Sequence, residues 1–243
     1  MSFYKELSAV YDIIFPKDKV TLEFLVVNLK EKSKVLDLAC GTGTYAIAIG
    51  EKGHEVIGVD LDEAMIGLAK DKTSYDNVHF YEANMLELHK IIKDETFDLI
   101  YCIGNSLVHL NDIEKIEKFA CDIYSRLENQ GEFIVQIINY DRILINDIKE
   151  LPTIDRSQQG IKFVRKYRVA EEEKIINFDT ELIISKTLSV ERYENSVPLL
   201  PLKSNELLRI LMKAGFSKIG IHGAFSNQEL NADSYSVVMR AVK

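Results

Sequence analysis

The run Val35-Leu36-Asp37-Leu38-Ala39-Cys40-Gly41-Thr42-Gly43-Thr44 constrains this chain more than any other stretch. Its short apolar segment reads as a buried strand, and a small-residue turn with two glycines ends it. Tyr45-Ala46-Ile47-Ala48-Ile49 then begins a helix, for which Thr42 or Thr44 is the expected cap. Glycine in such a turn allows positive φ and lets a ligand lie against bare main chain. The first turn of the helix adds unpaired N–H groups and partial positive charge. Nineteen residues after Gly41, a second apolar run, Glu55–Asp60, ends in a carboxylate. A strand, glycine loop, helix, strand and terminal acid form the unit that holds an adenosine-bearing cofactor, the acid accepting from ribose hydroxyls.

Which cofactor turns on Asp37. Gly41-Thr42-Gly43-Thr44-Tyr45-Ala46 formally fits the G-x-G-x-x-A of dinucleotide folds, so an NAD(P)-dependent oxidoreductase is an alternative. A carboxylate inside the strand, four residues before Gly41, is poorly placed beside a pyrophosphate and suits a ligand with cationic groups. In addition, no tyrosine is followed four residues later by lysine, the pair that short-chain oxidoreductases use. The whole string resembles the first motif of class I S-adenosylmethionine-dependent methyltransferases, with Ala39 where that pattern has glycine. S-adenosylmethionine carries an ammonium, a sulfonium and a carboxylate. The resemblance implies cofactor contacts from Asp37, Ala39, Cys40, Gly41, Gly43 and Asp60. A protein that binds S-adenosylmethionine without catalysis is the other alternative.

The remainder of the chain fits one α/β domain with an insertion. At 243 residues and 47% hydrophobic it can bury a full core, and a net charge of −8 disfavours a nucleic-acid partner. Cys40, Cys102 and Cys121 show no metal spacing, and no metal is expected; reduced cytosolic thiols fit the odd count. No signal pattern or bilayer-length apolar run is present, which makes a cytoplasmic protein without membrane partners the expectation. Residues 1–29 read as two helical pieces broken around Pro16, with Phe3, Leu7, Val10, Tyr11 and Ile14, then Val20, Phe24 and Val27, at helical spacing. Strands follow at 78–81, 97–103 and 132–138, the last opened by Gly131. Three alternating runs at 161–169, 175–184 and 188–197 read as an antiparallel sheet inserted before a helix over 204–214, which Ser204 caps and Gly215 ends. Apolar runs at 216–221 and 235–242 pair as a terminal hairpin. The expected fold is a doubly wound, Rossmann-like seven-stranded sheet with an antiparallel C-terminal hairpin and a small inserted antiparallel sheet as a lid. Its parts are 1–154 (helices and cofactor core), 155–200 (lid) and 201–243 (completion of the core).

The strand ends supply the remaining candidates. Leu61, Met65, Met85 and Leu86 are placed to sandwich an adenine, and Asn84 stands where the family has an acid that accepts from the adenine amino group. Asp62 caps the helix after the second strand. Ile103 ends the fourth strand at the same crevice. Gly104-Asn105-Ser106-Leu107-Val108-His109-Leu110 and Asn139-Tyr140-Asp141-Arg142-Ile143-Leu144 resemble segments of glycine and glycine/sarcosine N-methyltransferases. That likeness implies a small-molecule acceptor, an amine nitrogen above all, with Asn105 and His109 lining the transfer site and Asn139 touching the substrate. It also implies that Tyr11 folds over the methionine part of the cofactor. A homodimer is compatible with this reading. Arg165 sits on the apolar face of its strand beside Ile161, Phe163, Tyr167 and Val169. It needs an anion there, either Asp179, Glu181, Glu191 or Glu194, or a substrate carboxylate.

Overall fold

The computed structural model describes residues 3–93, 95–169 and 174–243. Pro16 separates α1 (Phe3–Ile14) from α2 (Lys19–Val26), whose first turn is closed by the Asp18 carboxylate accepting from the Thr21 amide. Five parallel strands alternate with helices, except that only a 3-10 turn at Leu88–Lys90 lies between the third and fourth strands: β1 (Lys34–Leu38), α3 (Thr44–Gly50), β2 (Glu55–Asp60), α4 (Glu63–Lys72), β3 (Val78–Glu82), β4 (Phe97–Cys102), α5 (Ile113–Ser125) and β5 (Leu127–Ile138). After α6 (Tyr140–Ile145) come β6 (Glu150–Arg156), β7 (Ile161–Val169), β8 (Ile176–Ser185) and β9 (Val190–Leu199), and then α7 (Ser204–Ala214), β10 (Lys218–His222) and β11 (Ser236–Val242).

The main sheet has the order β10-β11-β5-β4-β1-β2-β3. β1 pairs in parallel with β2 on one side and β4 on the other, while β11 returns antiparallel on β5. The order therefore reverses between β1 and β4, and the crevice beyond their carboxyl ends is where such sheets take ligands. Helices cover both faces, so the central strands are largely apolar and buried: Val35, Leu36 and Leu38 of β1 and Leu99, Ile100, Tyr101 and Cys102 of β4 are all 0% exposed, with Asp37 the buried acid among them. The seven-stranded sheet with its terminal hairpin and separate antiparallel sheet is the expected architecture.

The second sheet, order β6-β7-β8-β9, is antiparallel throughout. Its strand alternation gives it one apolar face. Ile161, Phe163 and Tyr167 of β7, Ile176 and Leu182 of β8 and Leu199 of β9 are buried, while Lys162, Lys166 and Arg168 point outward and are exposed. β6 is not expected from the sequence and runs across the expected boundary at residue 155. Pro152 interrupts its alternation, and its register on β7 shifts between Leu151 and Ile154, the irregularity that an edge strand tolerates.

Local signals held in part. Asp62 caps α4, accepting from the Met65 amide at 3.0 Å. At α7 the capping residue is Lys203, and Ser204 is the first helical residue; its amide donates to Asp141 at 2.9 Å. Val20 and Val27 are largely exposed, so only Phe24 of the second expected stripe is core.

Candidate active site

The glycine loop is built by backbone conformation. Ala39, Gly41 and Gly43 all have positive φ (58°, 54° and 73°), so three alternate residues bend the chain off the end of β1 into α3. A Cβ on Gly43 would lie 2.5 Å from the Phe80 ring, which is why the position takes no side chain. Gly43, and neither threonine, is the residue that caps α3, and it caps without a side chain. The hydroxyls of Thr42 and Thr44 instead donate to Asp12 of α1 at 2.5 and 2.9 Å, and Lys72 of α4 completes the cluster at 2.6 Å. Hydrogen bonds from all three hold the Asp12 carboxyl below its ordinary range against the effect of burial. This cluster fastens α1 across the loop and sets Tyr11 over Gly41, where a Cβ would lie 3.3 Å from its ring. Burial, then Asp60 and Asp37, push the Tyr11 phenol far above its usual range, so it is neutral.

Asp60 ends β2 with both carboxylate oxygens anchored. One accepts from the Gly41 amide at 2.8 Å and the other from the Asp62 amide at 3.0 Å. Burial raises its carboxyl although these amides oppose the shift. The carboxylate is thereby fixed beside the loop with lone pairs remaining for further donors. Next to it Leu61 is 71% exposed, an apolar side chain left open at the mouth of the crevice. Met85 and Leu86 are half-buried nearby in the chain after β3. Asn84 accepts from the Leu86 amide at 2.9 Å, which shapes that turn and occupies one of its two carbonyl lone pairs. Met65 is different from these half-exposed side chains: at 5% exposure it packs in the core with Leu7, Ile14 and Phe163 beneath α1.

Asp37 is buried, and its surroundings are set by register. Its neighbour on β4 is Tyr101 and on β2 Gly58. The Tyr101 hydroxyl donates to the carboxylate at 2.7 Å, and the Ala46 amide of α3 supports it. Burial pushes the carboxyl up to about 7; the Tyr101 bond opposes this and the nearby Asp60 adds to it. Among the described residues no lysine, arginine or histidine bonds to it. Cys40, half-buried, and Cys102, fully buried, have thiols raised by burial and are inert.

The strand ends on the other side are tied together. Asn105, with φ 68°, accepts from the Ile138 amide at 2.9 Å and donates to the Tyr140 hydroxyl at 3.0 Å. It therefore joins the ends of β4 and β5. Ile103 is half-buried at the end of β4, and His109 is exposed on a 3-10 turn at Leu107–Leu110. Asn139 does not line the crevice as expected: at 3% exposure it caps α6, accepting from Arg142, and donates to the Ser234 carbonyl. The sequence string is the same in either role, because an asparagine before a helix is both a cap and a polar contact.

The inner face of the four-stranded sheet carries a polar row of Arg165, Thr180 and Asn195, in register with Leu151 on the edge strand. On one side Tyr167, Phe178 and Ile176 join the main core, Tyr167 packing near Tyr140. On the other, Phe163, Leu182 and Tyr193 pack with α1. None of the four acids expected as Arg165 partners fills that role. Asp179 pairs with Arg168, Glu181 with Arg192 and Glu191 with Lys186, while Glu194 and Asp179 share the outward face with Glu181. The guanidinium donates to the Pro152 carbonyl at 2.7 Å, and its buried Nε has no hydrogen-bond partner.

These residues fit S-adenosylmethionine. The loop offers bare backbone, Asp60 is a fixed acceptor, Leu61 an open apolar surface, and Asp37 a buried carboxylate lacking a cation. Sequence reasoning missed Asp12, Tyr101 and the positive φ at Ala39. The one legible trace was a lone hydroxyl at Tyr101 inside an apolar strand.

Known proteins agree. Residues 35–131 match a family described as "Methyltransferase domain". The chain is 26% identical over 247 residues to YqeM of Bacillus subtilis (strain 168), covering 99% of this chain and 97% of that one. It is 28% identical over 207 residues to a glycine/sarcosine N-methyltransferase of Aphanothece halophytica, covering 84% and 74%. A solved S-adenosylmethionine-dependent methyltransferase from Clostridium acetobutylicum ATCC 824 shares the fold, with TM-score 0.80, 18% identity and 99% coverage of both chains.

Proposed function

We propose that this chain, a class I S-adenosylmethionine-dependent methyltransferase, methylates the amine nitrogen of a small acceptor that carries a carboxylate. S-adenosylmethionine supplies the methyl group on a sulfonium, an excellent leaving group. The observation that carries the acceptor reading is Arg165. It faces inward on the inserted sheet with a buried, unpartnered Nε, and its candidate acids pair elsewhere. A guanidinium in that setting has strong reason to take an external carboxylate, and its fork binds one through two parallel hydrogen bonds. Likeness to a glycine/sarcosine N-methyltransferase supports the same class.

The chain's own residues then act by placement. Arg165 and the polar row fix the acid end of the acceptor, while the buried Tyr140 and Tyr167 back this part of the sheet from the main core. Asn105 keeps the ends of β4 and β5 together, and α1 closes the crevice from above. Holding donor and acceptor at near-attack distance supplies much of the rate in such a displacement, so an acceptor that arrives as the neutral amine needs no dedicated base.

The test is release of S-adenosylhomocysteine with matched acceptors: amino acids, the corresponding amines without the carboxylate, and amino sugars. Turnover confined to the carboxylate-bearing amines is the expected result. Turnover of the decarboxylated amines at equal rate would remove Arg165 from the reading.

A further inference from the structure

We propose that Arg156, from the inserted sheet, is a positioning residue for the cofactor site: it anchors the last turn of α1, holds Tyr11 over the glycine loop, and so sets how fast the cofactor enters and leaves. The inference rests on the methyltransferase reading and adds to it a route of control. That route runs from the sheet that carries Arg165 to the ligand held at the other sheet.

The geometry is gathered in the stretch from Tyr11 to Phe15. The Tyr11 ring lies against Gly41, 3.3 Å from where a Cβ would stand. Asp12 accepts from Thr42 and Thr44 of the loop and from Lys72 of α4. The Ile13 carbonyl accepts from Nε of Arg156, the last residue of β6, at 3.1 Å. The Phe15 ring meets Phe163 of β7 edge-on at 5.8 Å and the Tyr11 ring at 5.0 Å. Glycine loop and inserted sheet are thus joined through one helical turn, and Tyr11 belongs to that turn.

α1 does not supply its own anchor. A helix C-terminus carries partial negative charge and unpaired carbonyls, which a basic side chain in the last turn can satisfy. The last turn of α1 has no basic residue; it has Asp12, a charge of the unfavourable sign. The loop hydroxyls and Lys72 answer Asp12, and Arg156 answers the open carbonyl. Arg156 is half-buried and is not drawn there by an ion pair: its neighbour Asp155 pairs with Lys162, and its Nη1 donates only to the Asp155 carbonyl, at 3.5 Å. Its guanidinium is spent on the helix end.

Of the two partners the sheet is the firmer. The Leu200 amide that follows β9 donates to the Val108 carbonyl at 3.1 Å, and Leu151, Tyr167, Ile176 and Leu199 belong to the main core. α1 buries Leu7, Ser8 and Ile14 alone, so it is the element that lifts and the sheet is the support it lifts from. A ligand that reaches the loop only while α1 is raised meets an open fraction set by the anchor. Weakening the anchor raises that fraction in the free and the bound protein alike. Both rate constants then rise, while Kd, their ratio, hardly moves. Loss of support for the bound ligand alone would change dissociation and leave association where it was.

Association and dissociation rate constants of S-adenosylhomocysteine are measured by stopped flow on the wild type, Arg156→Ala and Arg156→Lys, with thermal melts alongside. Arg156→Ala is expected to raise both constants about three- to tenfold, with Kd and the melting temperature nearly unchanged. Arg156→Lys brings both back toward the wild type, because an ammonium can still donate to the Ile13 carbonyl. Rate constants that ignore Arg156→Ala overturn the proposal, and so does a rise in dissociation alone. A second measurement needs no variant to fold: in the wild type, S-adenosylhomocysteine should slow hydrogen exchange across residues 11–15, and unaltered exchange there overturns the proposal as well. If the ligand does not bind the wild type, the methyltransferase reading fails first; if it binds and the rates ignore Arg156, only this inference falls.

Discussion

In the seven-stranded sheet the crevice is shaped by main chain, and in the four-stranded sheet it is shaped by side chains. The glycine loop turns on three positive φ angles and on what cannot be added at Gly43. The inserted sheet has ordinary strands, and its contribution is the choice of side chain at successive inward positions, apolar at both ends and polar along Arg165, Thr180 and Asn195. Backbone sites hold a ligand common to many proteins, whereas side-chain sites can be rewritten one residue at a time. The first half is therefore expected to fail by losing structure, and the second by losing selectivity.

The largest effect that separates the halves is Gly43→Val. With φ at 73° and the Phe80 ring 2.5 Å from the new Cβ, strain and overpacking together cost about 2–5 kcal/mol. Urea unfolding should show that loss together with lost cofactor binding. Arg165→Leu should leave the melting temperature and S-adenosylmethionine affinity nearly unchanged. It should cut kcat/KM for a carboxylate-bearing amine about a hundredfold, or about 2.7 kcal/mol. A variant that melts far lower would assign Arg165 to the sheet's own stability, and the contrast between the halves would blur.

Asp60→Ala belongs to the first half but removes a side chain, which makes it a sharper probe. S-adenosylmethionine affinity is expected to drop by roughly 1.5–3 kcal/mol. A change under about threefold, on the order of 0.6 kcal/mol, would mean that the carboxylate serves only the amides of Gly41 and Asp62. The smallest effect is Ala39→Gly. Relief of a left-handed alanine outweighs the added freedom of the unfolded chain, for a net gain of about 0.5–1 kcal/mol in urea. A loss of stability there would show that the loop conformation carries no strain.

The sequence revealed the main sheet well and the inserted one less fully. Strands such as Lys34–Leu38 and Phe97–Cys102 stand out because both faces are covered and they are mostly apolar, each with a single aspartate. The meeting of Gly41 and Asp60 beside the glycine loop could be read because a loop and an acid at a fixed distance are a local pattern. β6 was hidden by Pro152 and a shifted register. Asn139 was misread because the partners that use up its amide, Arg142 and Ser234, include one distant in sequence. The Asp12 cluster joins residues from α1, the loop and α4, and no spacing rule connects those three places. Met65 recurs with the right period for a helix face, but only the packing of α1 decides which face that is.

That packing has a consequence in time. α1 reaches its neighbours across long stretches of chain: the Ile13 carbonyl accepts from Arg156, 143 residues away, and the Tyr4 hydroxyl accepts from Asn195 at a separation of 191. Contacts of such range form only after the intervening chain is in place. Only Leu7, Ser8 and Ile14 of the helix are buried. Lifting it breaks the Asp12 cluster and uncovers Met65, Phe163 and Leu182 but leaves both sheets intact, so it is an opening of lower free energy than global unfolding. In hydrogen exchange, the amides of α1 should trade with solvent well ahead of those in β1 and β4. This helix would then be among the last elements to settle, and its brief departures would set the interval in which the crevice stands open to water.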